Sequence, residues 1–373
     1  MLETLARPFK SVWGWLAIGV VVIAIIGAAV LSADGPDEDD TVALDITPTP
    51  ASTATPEPTA TPEPTPTATP APTSTPAPTP TPGPISPLNG MDVDGPINDR
   101  ILTVKIDNAD SARPQSGIQH ADMMIEIWVE GITRFLSVWH YNDAEFLGPI
   151  RSMRPTDFAV QNSWASSFVN SGGQPWVAAI GNASNVNYFV EPRGSFRISS
   201  RFAPHNLYGD TTVFRTLDGR GDYEAPLEPI WNFGELGPDA GDATLITTNW
   251  RNGYVVKWTW TGSEYARSTF DTPHNYFDDE NVPQQITADT LVMLEMSVFS
   301  SNGGGAGSTI PISNTVGSGP AWVFSGGKME QGTWARETET EWFTLTGADG
   351  EEMTVPPGRS WLVLPITGGV VPS

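Results

Sequence analysis

This chain of 373 residues contains no cysteine. That excludes disulfides, thiol nucleophiles, thiolate metal sites and a lipidated N-terminal cysteine, but it leaves the compartment open. Basic residues are scarce, with 19 Lys+Arg against 43 Asp+Glu and a formal charge of −24. A surface so acidic repels polyanions, so nucleic acid is not expected as a partner. Histidine is rare too, four in all, and His120, His140 and His274 have no companions at metal-ligand spacing. G-x-S-x-G is absent, which argues against serine hydrolase chemistry at Ser152 or Ser171.

Long apolar runs are limited to residues 12–33, VWGWLAIGVVVIAIIGAAVLSA. Their length is close to the ~20 residues that a membrane helix needs. Arg7 and Lys10 precede the run and an acidic stretch follows it. This bias predicts a short cytoplasmic tail (1–11), a single-pass anchor (12–33) and an extracytoplasmic remainder. A cleaved signal peptide, with Ser32-Ala33 as cleavage site, is the alternative; its apolar core would be shorter, about 7–15 residues. Residues 34–84 are acidic and then a Thr-Pro repeat, which cannot bury apolar surface and favours extended polyproline II. They read as a disordered, semi-rigid stalk.

Residues 85–373 are left to fold. Strands are expected at 101–106, 123–129, 132–141 and 167–170, with helices at 156–165 and 175–189. That alternation predicts an α/β domain over 85–240. From 241 to 373 the pattern is β-rich, with hairpins 254–270 and 321–334 and further strands at 291–299, 342–345, 350–355 and 360–364. The glycine-rich segment 300–308 reads as a loop unable to pack.

Against the acidic background, arginine is concentrated. Of the 14 arginines in this part, seven lie between Arg113 and Arg201. Several adjoin apolar strands, where charge is costly unless it is paired or binds something. Five polar words stand out: Ile106-Asp107-Asn108, Ala112 to Gly117, Ala121-Asp122 running to Glu126, Glu130 to Arg134, and Gly148 to Pro155.

These words, followed by Pro204 to Tyr208, Gly319 to Phe324, Gly327 to Trp334, Asp349 to Glu352 and Pro356 to Leu362, resemble the YerB-like family of bacterial lipoproteins. The resemblance covers nearly the whole of 85–373 and implies N- and C-terminal parts of unassigned biochemical function. Two departures are visible: no cysteine for a lipid, and a single glycine, Gly131, in the turn after Glu130. In layout the N-terminal part is also similar to cell-wall ligases of the LytR-CpsA-Psr type. That similarity implies arginines and aspartates around a pyrophosphate and a divalent metal.

Guanidinium forks suit phosphate and carboxylate. The candidate ligand set is Asp107, Asn108, Arg113, Glu126, Glu130, Arg134, Arg151, Arg154, His205 and Asn206. The competing reading is a structural network in which the acids and arginines pair internally. His205 is the candidate general acid/base and Asp122 a second catalytic candidate. Asp107, Asp122 and Glu126 offer the oxygen ligands that Mg²⁺ or Ca²⁺ take, but no loop has calcium-motif spacing, so no metal or cofactor is assigned. The expected function is a membrane-anchored envelope protein binding an anionic ligand or cell-wall polymer. An enzyme acting on phosphate- or glycan-containing envelope substrates is the alternative.

Overall fold

The computed structural model describes residues 83–217, 227–305 and 308–373, which all fall within one compact unit. The expected cytoplasmic tail, anchor and nearly all of the stalk lie outside the described residues. Among the described residues, no helix is long and apolar enough to cross a membrane.

The centre of the fold is an eleven-stranded mixed sheet built from both halves of the sequence. Met123–Trp128 and Thr133–Trp139 form an antiparallel hairpin, and Leu102–Ile106 pairs antiparallel with Thr133–Trp139. Ser167–Asn170 and Asn187–Val190 then extend this side in parallel. On the other side Ser360–Leu364 lies parallel to Met123–Trp128 and to Thr290–Leu294. The Gly317–Ser325 and Lys328–Arg336 hairpin follows. Residues from near the C-terminus thus sit mid-sheet.

Both faces are covered, which is why these strands are apolar at nearly every position. Alternation sends Ile125, Ile127, Leu136 and Val138 to one face, under the α1 helix Pro155–Gln161 and the α2 helix Pro175–Ala183. It sends Met124, Trp128, Phe135 and Trp139 to the other. There they meet a six-stranded sheet whose core is Leu245–Asn249, Val255–Trp260 and Tyr265–Thr269.

The fold is mostly β rather than α/β: a four-residue α3 helix, Thr211–Phe214, completes the α-helices of the described residues. The helix expected over 175–189 stops at Ala183, where the backbone turns extended at Ser184. The β-favouring residues Asn187–Val190 instead gain ladder bonds to Ser167–Asn170. The glycine-rich segment also packs. Val298–Ser301 and Ile310–Ser313 form a hairpin, and a Cβ at Gly303 would come 2.4 Å from the Trp176 ring.

Candidate functional site

The polar words converge, but on two faces of the central sheet. Asp107 and Asn108 directly follow Leu102–Ile106, so their side chains point oppositely. Asn108 Nδ2 donates to Thr133 Oγ1 at 2.9 Å, and Thr133 donates to Glu126 Oε1 at 2.6 Å. Glu126 also takes Arg267 Nη2 at 2.5 Å, and both of these side chains are fully buried. The Arg267 guanidinium lies against Phe135, 5.2 Å from the ring centre, and donates to His274 Nδ1. His274 Nε2 therefore carries the hydrogen, which goes to Gln115 Oε1 at 3.0 Å. Burial first, and the Arg267 and Arg113 charges next, push the His274 imidazole well below its ordinary range. Arg113 donates to Asn108 Oδ1 at 3.0 Å and to the Tyr254 hydroxyl at 2.7 Å. This first cluster is sealed and nearly self-satisfied.

Asp107 turns to the other face and is also fully buried. Its carboxylate lies 2.7 Å from His205 Nδ1, 3.3 Å from Arg151 Nε and 3.9 Å from Arg134 Nε. Backbone bonds hold these side chains in place. Asp107 N–H donates to Pro149 O, Arg151 N–H to Lys105 O, and Ser171 N–H to Arg151 O. The segment carrying Arg151 is thus stitched between the first strand and the Ser171-Gly172 loop. Gly148 begins that segment where a Cβ would come 2.9 Å from Leu207 O, a packing that needs glycine.

Arg154 precedes α1, where Asp157 accepts its backbone N–H at 2.7 Å and the buried Lys105 ammonium at 2.5 Å. Its guanidinium is spent on Glu130, at 2.8 and 3.1 Å, and on Met153 O at 2.8 Å. Burial pushes the Glu130 carboxyl up, but the Arg154 charge, the hydrogen bonds it receives and the Arg134 charge together outweigh that and hold it low. Arg134 donates from Nη1 to Ser152 O at 3.3 Å. Burial, and then the Arg154 charge, hold its guanidinium down to about 10.

Two groups stay open. Arg151, partly exposed, has no hydrogen-bond acceptor on its terminal nitrogens among the described residues. The Asp107 carboxylate accepts from His205 Nδ1, so Nε2 is left without a protein partner there. Arg134, Arg151 and Arg154 stand against Asp107 and Glu130, three positive charges against two negative.

Two other candidates lie apart. Asp122 binds the backbone N–H groups of His140, Tyr141 and Asn142 and the Asn142 amide, fastening the exit of the Thr133–Trp139 strand. By register it sits five residues, about 17 Å, along the hairpin from Arg134. Asn206 braces its own loop, with Nδ2 on Ile198 O and Oδ1 accepting from Arg197. Asp107, Asp122 and Glu126, weighed as joint metal ligands, are dispersed over two faces and two ends of the sheet. Sequence reading passed over Arg267, Gln115 and Tyr254. The available signal for Arg267 was its parity with the inward Tyr265 and Thr269.

Models for the N- and C-terminal domains of a protein family of unknown function, DUF3048, match residues 88–223 and 246–362. The chain belongs to this family. It is 33% identical over 129 residues to a Bacillus subtilis protein described as "Putative lipoprotein YerB", spanning 39% of that relative's length. The crystal structure of YerB from Bacillus subtilis matches with a TM-score of 0.65 at 22% identity. That match covers 78% of this chain and 99% of the other, and carries the fold of the family.

Proposed function

We propose that this DUF3048-family chain is a membrane-anchored envelope protein that holds an anionic group, phosphate or carboxylate, on Arg151 and Arg134. The observation that carries this reading is the pair of unspent terminal nitrogens of Arg151 in a cluster whose two acids are already engaged. A fork with free donors matches an oxyanion geometrically, and an excess positive charge in a half-buried site attracts one. The lipoprotein description of the relative and the apolar run at 12–33 support a place at the outer face of a cell membrane. An envelope polymer bearing anionic groups fits that place.

The test is isothermal titration of the full-length chain in detergent with inorganic phosphate, against Arg151→Gln. Loss of one charged fork is expected to weaken binding at least about tenfold. Phosphate binding of equal strength in the variant overturns the assignment.

A second reading, hydrolysis of a phosphate ester, draws on the Asp107–His205 contact, which orients the imidazole as a general acid/base would need. Release of nitrophenol from p-nitrophenyl phosphate by the wild type, abolished in His205→Asn, decides for it. Binding without turnover decides for a non-catalytic site.

A further inference from the structure

Phe202 is 92% exposed, the most exposed of the large hydrophobic side chains among the described residues. An aromatic ring left so far in water forgoes the burial that would stabilise it, and the loop carrying it is not slack. The His205 N–H donates to Phe202 O at 2.9 Å, closing a four-residue turn. Such a turn brings its end residues to within about 7 Å between Cα atoms. Ile198 N–H donates to Asn206 O and Asn206 Nδ2 returns to Ile198 O, so the loop is closed at its base. Arg201 reaches back to the carbonyls of Ser111, at 3.1 Å, and Pro114, at 2.5 Å. Arg201 and His205 therefore turn inward, one to backbone and one to Asp107, while Phe202 between them turns out.

A solvent-facing ring on a tied-down loop, one turn from the imidazole of an anion site, is a stacking platform. We infer that the ligand is an anionic carbohydrate: a sugar bearing a phosphate or carboxylate, its charged group on Arg151 and Arg134 and its apolar C–H face on Phe202. This rests on the anion site proposed above and adds the class of molecule that carries the anion. A sugar ring supplies both needs, because its ring hydrogens form an apolar face while its substituent carries the charge. A lipid surface offers anionic groups too, but the acidic excess of residues 85–373 (34 acidic against 17 basic) opposes any extended anionic surface, whereas a short sugar needs only the local arginines and the ring.

The experiment titrates the full-length chain in detergent with inorganic phosphate, glucose 1-phosphate, galacturonate oligomers and neutral dextran. It adds flotation with phosphatidylglycerol vesicles. Variants are Phe202→Ala and, as a second exposed aromatic, Phe299→Ala. Covering one face of the phenyl ring is worth about tenfold in affinity. Phe202→Ala should weaken glucose 1-phosphate or galacturonate about tenfold and leave inorganic phosphate unchanged, while Phe299→Ala changes neither. Preference for the phosphate arm or the uronate arm identifies the charged group. Equal affinity of Phe202→Ala for the sugar ligands, binding of dextran as tight as that of the charged sugars, or Phe202-dependent vesicle binding overturns the carbohydrate inference. Failure of every anion, inorganic phosphate included, overturns the underlying anion site instead.

Discussion

Two arginine-centred clusters sit back to back on one sheet, and they differ in what is left over. On one face Arg267 and Glu126 are both wholly buried, with Thr133, Asn108, Gln115 and His274 using most of their remaining donors and acceptors. On the other, three arginines and His205 gather around Asp107 and Glu130; among the described residues the terminal nitrogens of Arg151 reach no acceptor and Nε2 of His205 has no partner. The first arrangement comes close to what structure requires of a buried charge, an opposite partner: what it leaves unbonded, Glu126 Oε2 and Arg267 Nε, is buried away from any ligand. The second has surplus donors at its solvent edge. The contrast teaches that arginine count does not make a site; unspent geometry does.

The largest effect that would break the comparison is at the sealed cluster. Glu126→Gln leaves the Arg267 charge buried and uncompensated, so chemical denaturation should report a loss of about 3–5 kcal/mol. The paired change Glu126→Leu with Arg267→Met should recover much of it, since both charges then disappear together. A small loss in Glu126→Gln would show the cluster to be wetter than the structure indicates.

Asp107→Asn at the open cluster should cost less, about 1–3 kcal/mol, because Arg151 and His205 can turn toward water. It also removes a negative charge, so phosphate should bind more tightly, which titration calorimetry reads. A loss of stability equal to that of Glu126→Gln would erase the distinction between the two faces.

Acid should act on both clusters at different pH. His274 is held neutral, its folded value below the ordinary 6.5, so the unfolded chain takes up more protons as pH falls below about 6.5. Stability should then drop by up to about 1.4 kcal/mol per pH unit. His274→Gln should flatten that slope in denaturation profiles between pH 7 and 5. Glu130 is held low by Arg154, so its contribution is present above the ordinary 4.5 and is lost as pH falls through the folded value. The smallest effect is expected from Arg154→Gln, under about 1 kcal/mol in thermal denaturation, since Glu130 reaches solvent.

Much of this was legible residue by residue. Mostly apolar runs marked 123–129 and 132–141 as strands covered on both faces, turn signals between β-favouring runs marked the hairpin at 254–270, and the concentration of arginine flagged the region of the candidate site. The helix at 175–189 was over-extended because its start, Gln174-Pro175, is an unambiguous signal while its end is decided by the ladder offered to Asn187–Val190. The candidate residues were read as one site, since words adjacent in sequence carry no mark of which sheet face each side chain will take once the register is set.

By itself, the sequence determined which segments extend, where arginine accumulates against an acidic background, and which family the words resemble. Only the tertiary structure decided which charge meets which. Asp107 finds His205 98 residues away, and Glu126 finds Arg267 141 residues away. Those meetings follow from strand register and from Ser360–Leu364 closing beside Met123–Trp128, long-range pairings in which no local propensity records the partner. The surplus on Arg151 is likewise visible only as the remainder after every other pair is made.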